Sequence, residues 1–349
     1  MSAVARAMGR ALAGAWRADE PAVELTADEL AAMSPHLALS GELPLVWARI
    51  RGTALADTPA GVAAHRAALA HAAAAVTHEE QLRRLCDGLR AAGVEPVLAK
   101  GRALARLYAD PLARPAADID LYVRPADAAR AEAALAVPEL AAIGADLHAG
   151  VPDLEEDDAE AVLARAVPAA IGATTVRVLA REDHLRLVVL HMLRHAAWRP
   201  LWLCDVGALV EAPGELDWDR VLAGSARLSS WVAGGIALAC SLVEARVCEP
   251  RVTSGSLPRW LEPAVLAHWT GGGRHLYDGV PLVAWLARPS GLRDALARRW
   301  PSPLQATISR RAAFDERPRW PLQLADWAER AVRSAARLPS TLLEMARSS

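Results

Sequence analysis

Among 39 basic residues in this chain there is one lysine, Lys100; the other 38 are arginines. Where arginine has been used so freely, the surviving lysine marks a place suited to a compact ammonium on a flexible stem rather than a planar fork. Lys100 is followed by Gly101 and, further along, by the alternating pair Asp118 and Asp120 in Asp-Ile-Asp-Leu-Tyr-Val. Side chains two apart on a strand project from one face, so the two carboxylates stand about 7 Å apart and aim together. They repel unless a cation lies between them. An all-oxygen donor set suits Mg²⁺, which takes one or two protein carboxylates and fills its octahedron with water and substrate phosphates. An Asp-x-Asp pair alone is more often a pair of solvated turn residues, but the flanking Ile119, Leu121, Tyr122 and Val123 argue for a buried strand. Gly101 sits where a strand would turn into a helix, where free N–H groups favour an anion and glycine lets phosphate approach closely. An ordinary strand-to-helix turn is the plainer reading of Gly101 by itself. Together, these residues suit a metal-bound nucleoside triphosphate.

The elements that must hold these residues are legible from periodicity and punctuation. Residues 1–92 read as helical, the last helix running from about Pro59 to Ala92 and ending at Gly93, a residue suited to a left-handed cap. Val94–Ala99 reads as a short buried strand, with Pro96 at its start or on an edge. Gly101–Leu107 is helical by composition, Ala109–Pro111 and Arg114-Pro115 mark a loop, and Ile119–Val123 is a second strand. Pro125–Ala136 is a helix opened by its proline. Ile143–His148 and Thr174–Leu179 are further strands, and from Arg181 the pattern is helical again. The expected fold is therefore α+β: a small mixed β-sheet core over 93–180, flanked by an N-terminal helical region, 1–92, and a C-terminal one, 181–349.

Residues 94–124 resemble the bacterial nucleotidyltransferase-like family of the polymerase-β-type superfamily. The motif blocks are Leu98-Ala99-Lys100-Gly101, Tyr108-Ala109-Asp110-Pro111, Arg114 and Asp118-Ile119-Asp120-Leu121-Tyr122-Val123. Softer similarity extends to Asp146-Leu147-His148, Arg181–Leu185 and Trp202–Val206. The resemblance implies a nucleotidyltransferase core in which two carboxylates on one strand and a third on a neighbour hold two Mg²⁺ ions. Asp118 and Asp120 would bind the metal, and Asp146 would be the third carboxylate. Lys100, Gly101 and Arg114 would receive the triphosphate of an NTP co-substrate. The family usually has a longer hairpin before the third carboxylate; here Ala136–Gly144 is cut down, which leaves Glu139 as an alternative to Asp146. The shortening also leaves open a non-catalytic, nucleotide- or partner-binding member of the fold. The resemblance further implies bacterial peptide-biosynthesis clusters, so a peptide or small-molecule acceptor is expected ahead of a nucleic acid. A toxin-like enzyme acting on tRNA is the remaining alternative.

Composition narrows the classes. With 349 residues, 53% of them hydrophobic, and a net charge of −2, the chain reads as globular, with no general affinity for polyanions. Four scattered cysteines without a C-x-x-C fit a reducing cytoplasm rather than a disulfide framework. Arg6, Arg10 and Arg17 interrupt the first apolar stretch, which reads as an amphipathic helix, and the apolar run from Trp231 to Val243 is short for a bilayer. A cytoplasmic protein without membrane insertion is expected. His191 and His195, four apart, read as packing histidines, since no third zinc ligand accompanies them. His184 reads as a residue near a helix start. The acidic run from Asp153 to Asp158 reads as a solvated helix N-terminus. Residues 288–349 carry twelve arginines against six acids, with Trp300, Trp320 and Trp327 among them. Helices with tryptophan inward and arginine outward explain this better than an RNA- or membrane-binding segment.

Overall fold

The computed structural model describes residues 3–116, 118–255, 257–271 and 300–332. Five short strands form one sheet: β1 (Val97–Ala99), β2 (Asp120–Val123), β3 (Asp146–Ala149), β4 (Val167–Ile171) and β5 (Thr174–Val178). Their order is β3-β2-β1-β5-β4. The sheet is mixed, with β1 antiparallel to β2 and parallel to β5, β3 parallel to β2, and β4 antiparallel to β5. Before it come α1 (Ala3–Leu12), α2 (Ala27–Ser40), α3 (Leu43–Ile50) and α4 (Pro59–Ala91). Among the strands lie α5 (Gly101–Ala105), α6 (Ala128–Leu135), α7 (Pro138–Ala141) and α8 (Ala159–Ala164). After it come α9 (Arg181–Arg194), α10 (Leu201–Glu211), α11 (Trp218–Val221), α12 (Ala226–Val243), α13 (Pro250–Thr253), α14 (Leu261–Thr270) and α15 (Pro303–Ser309). The α+β reading with helical flanks holds.

Local chemistry explains most boundaries. Helix α4 ends where Gly93 adopts φ 73, and Val94 N–H reaches back to the Leu89 carbonyl at 2.9 Å, closing the last turn. Strand β1 starts only at Val97, later than the sequence suggests; Pro96, without an N–H, stands just outside it. Strand β3 lies later than expected, since Gly144 turns the chain at φ 73 before Asp146. Strand β4 went unread. Its Val-Pro-Ala-Ala-Ile is poor in β-formers, and its proline is tolerated because β4 is an edge strand.

The two faces of the sheet bury different cores. Leu98, Ile119, Leu121 and Val123 point one way, onto Leu82, Leu85 and Leu89 of α4 and Ala131 of α6. Val97, Ala99 and Tyr122 point the other way, into a larger core shared by helices from before and after the sheet. There α1 packs on α2, α12 and α14, while α9 packs on α10 and α12. Helix α12 is longer than the apolar run noted above, and by length and composition alone it could cross a membrane. Here Leu228, Trp231, Val232, Ile236, Ala239 and Val243 bury it in the shared core.

Candidate active site

At the end of β1 the chain turns sharply. Lys100 has φ 53 and ψ −148, and Gly101 follows at φ 35. A side-chain-bearing residue held at positive φ costs about 1–3 kcal/mol and persists only where its surroundings over-determine it. The constraint comes from α9, where His184 Nε2 accepts the Lys100 backbone N–H at 2.9 Å. Burial pushes His184 down to about 3, reinforced by the nearby charges of Arg106, Arg114 and Lys100, so the ring is neutral and free to accept. Gly101 is required sterically as well: a Cβ there would lie 3.0 Å from the Asp118 carbonyl oxygen. The outcome is that Lys100 Nζ lies 2.6 Å from Asp120 Oδ1.

Asp120 is buried and shares that oxygen with His148, whose Nε2 is 3.4 Å away and whose ring stacks on Tyr122. Burial alone would raise the Asp120 carboxyl; His148 and the Lys100 ammonium outweigh it and hold the group below its usual range. Asp146 is the register partner of Asp120 across the parallel β2–β3 pair. Asp118, Asp120, Asp146, Lys100, Gly101 and Arg114 all line one cleft of about 220 Å³. Asp118 and Asp146 are exposed, and neither side chain has a hydrogen bond or ion pair among the described residues. Glu139, on α7, does not line the cleft.

Arg114 lies at the cleft, but its guanidinium is already committed. Its Nε and Nη2 donate to Asp205 Oδ1 and Oδ2 at 2.7 and 2.8 Å, and Nη1 donates to the Pro115 carbonyl. Tyr108 Oη donates to Asp205 as well, at 2.8 Å. Arg114 thus clamps the loop before β2 onto α10, with Nε, Nη1 and Nη2 all engaged within the protein. Helix α5, only five residues long, adds little dipole at Gly101.

The rest of the lining comes from the α9–α10 junction: His191, His195, Trp198, Arg199, Leu201 and Trp202. Ala196 and Ala197 take φ 57 and 50 in succession and are fully buried, with Trp269 Nε1 donating to the Ala197 carbonyl at 2.9 Å. This held turn presents the two tryptophans, whose rings meet edge to face at 5.9 Å. His191 and His195 pack together and against Trp202, so they are packing histidines that also face the cleft. Burial, then His191, pushes His195 down to about 4. The acidic run is not a solvated terminus throughout. Asp153 is buried against Arg194 and His191, and Asp157 pairs with buried Arg186 at 2.6 Å, while Asp158 caps α8.

A sequence profile described as an uncharacterised nucleotidyltransferase matches residues 28–139 and 145–241. The chain belongs to that family. The match spans every cleft residue named above, and it breaks within the shortened segment before Asp146. No match was found among curated proteins or among solved structures. Asp118, Asp120 and Asp146 on this cleft offer oxygen ligands only, two of them unpaired among the described residues, the donor type that the implied divalent ions take. Among the described residues no three ligating side chains are already gathered around one point, and Lys100 rests on Asp120 where a cation would be attracted. Substrate phosphates would complete such a site. Two positioning residues escaped the sequence reading, His184 and Asp205, since each acts through a partner far away in the chain.

Proposed function

We propose that this nucleotidyltransferase moves a nucleoside monophosphate from an NTP to a hydroxyl group on a peptide or small molecule, with Mg²⁺ as cofactor. The observation that carries this reading is the convergence on one cleft of the lone lysine and three carboxylates, Asp120 and Asp146 on adjacent strands and Asp118 on the segment that leads into β2 rather than on the strand expected for it. Asp118, Asp120 and Asp146 would hold the ions. Bound there, Mg²⁺ would offset phosphate charge and favour the ionised acceptor oxygen. Lys100 would trade Asp120 for a phosphate oxygen, a change its flexible stem allows. Asp146, exposed and unpaired, would take the acceptor proton as the new oxygen–Pα bond forms and the bond from Pα to the bridging oxygen breaks, releasing pyrophosphate. The tryptophans of the α9–α10 junction would offer flat apolar surface to a base or acceptor.

A nucleic acid acceptor draws less support. Of the arginines in the basic C-terminal segment, Arg310, Arg311 and Arg319 pair with Glu329, Glu155 and Asp315 rather than forming an open basic face. The rest of 288–349 lies partly outside the described residues. A second reading, a non-catalytic nucleotide-binding protein, is favoured by one observation: Lys100 and His148 already share Asp120 Oδ1. Incubation with each α-labelled NTP, Mg²⁺ and cell extract separates the two. Transfer of label to a peptide or small molecule, with pyrophosphate released, is the expected outcome. NTP binding without any transfer would establish the second reading.

A further inference from the structure

Three side chains lining the cleft are permanently cationic: Lys100, Arg114 and Arg199. Two are engaged, Lys100 with Asp120 and Arg114 with Asp205 and the Pro115 carbonyl. Arg199 differs. Only its Nε is used, donating to the Ser40 carbonyl at 3.0 Å and lying 3.8 Å from Glu42 Oε1. Neither terminal nitrogen has a hydrogen-bond partner among the described residues. The head is nonetheless fixed. Glu42 is fully buried and accepts from the Ser40 hydroxyl and, at 3.4 Å, from Leu201 N–H. Gly41, at φ 93, leaves room that a side chain would take, since a Cβ there would stand 3.3 Å from Arg199 Nη2. The guanidinium also lies over the Trp198 ring, 5.8 Å from its centroid.

A fork anchored at Nε, with both ends unpaired beside a cleft, is built to receive an anion with several oxygens. Glu42 Oε1, fully buried 3.8 Å from Nε, attracts the guanidinium from inside the protein, while burial pushes the Glu42 carboxyl up. We propose that Arg199, positioned by the Ser40 carbonyl and Glu42, is a further contact for the polyphosphate in this cleft, beside Lys100. The inference rests on the reading of the cleft as an NTP site but concerns binding, so it is testable without turnover.

The test is calorimetric titration of the full chain with sodium tripolyphosphate and, separately, with ATP and Mg²⁺. The proteins are wild type, Arg199→Gln, Glu42→Gln and the double variant, which removes both charges and guards against loss of folding; melting curves accompany each. Arg199→Gln should weaken tripolyphosphate and ATP about tenfold or more, as expected for a charge-assisted contact. Glu42→Gln should weaken both on the wild-type background and add nothing on the Arg199→Gln background. Affinities within twofold of wild type in a folded Arg199→Gln protein would overturn the inference and leave the NTP reading standing. Arg199-dependent tripolyphosphate binding without ATP binding would support the inference and sink the NTP reading. Failure of the wild type to bind either would overturn both. An equal effect of Glu42→Gln on both backgrounds would overturn the positioning role of Glu42.

Discussion

Lys100 joins an unfavourable backbone to a specific contact: φ 53 on one side, Asp120 Oδ1 at 2.6 Å on the other. Glycine adopts positive φ without the penalty a side chain incurs. Lys100→Gly should therefore fold at least as stably as Lys100→Ala, by roughly 1 kcal/mol in urea titrations, although both lose NTP turnover. A Lys100→Gly protein clearly less stable than Lys100→Ala would show that the turn is not strained. Lys100→Arg should lose most turnover, because a planar head does not replace a point charge held between Asp120 and a phosphate. Near-normal turnover in that variant would mean that the single lysine is an accident of composition. Asp120→Asn keeps the side-chain volume and removes the charge. Turnover with Mg²⁺ should fall by about two orders of magnitude or more, and activity within a few-fold of wild type would exclude a metal-binding role. These residues could be singled out in the sequence by type and local spacing, a lone lysine before a glycine and two alternate aspartates, although their contacts come from further along the chain.

Helices bring to the site what the strands cannot. Helix α10 carries Asp205, and its bidentate bond to Arg114 fixes the loop that leads into β2. With both partners buried, Arg114→Met leaves an uncompensated carboxylate and should destabilise the chain by about 3–5 kcal/mol. The double variant Arg114→Met with Asp205→Leu should recover a large part of that loss, as a double-mutant denaturation cycle would reveal. Unchanged stability in Arg114→Met would return this arginine to the substrate. Helix α9 supplies His184 from its first turn and His191 from its last, so one rigid element reaches both the Lys100 turn and the tryptophan side of the cleft.

At the scale of the whole molecule, buried His184 and half-buried His195 tie stability to pH. His184 titrates at about 3 and His195 at about 4 in the fold, against 6.5 in an unfolded chain. Between those values the unfolded state binds more protons, so stability rises with pH. It is fully present above about 6.5 and falls as the solution is acidified toward 4. Depressed carboxylates such as Asp120 and Asp153 add to the loss at the acid end. Melting temperatures should drop steadily across that window. His184→Gln, which keeps an acceptor for the Lys100 N–H, should flatten the slope; an unchanged slope would mean that His184 is not buried neutral. The shared core of α1, α2, α9, α12 and α14 links helices from before and after the sheet. Gly207 of α10 lies so close to Trp16 that a Cβ would come within 2.3 Å of the indole.

By itself the sequence determined the alternation that sends Asp120 and Tyr122 to one face of β2 and Leu121 and Val123 to the other. It likewise determined the Gly93 cap and the position of the Lys100-Gly101 turn. All of these follow from side-chain period, φ preference and local hydrogen bonding, which act over a few residues. Only the tertiary structure decided the partners. Arg114 and Arg199 are the same residue type, and nothing near either one distinguishes them. Asp205 takes up the fork of Arg114, while the Ser40 carbonyl takes the Nε of Arg199, with Glu42 close by, and its terminal nitrogens have no hydrogen-bond partner among the described residues. Asp153 looked like one more solvated acid until α9 brought Arg194 and His191 against it. The availability of a charge is set by what folding places beside it, and those neighbours come from distant parts of the chain.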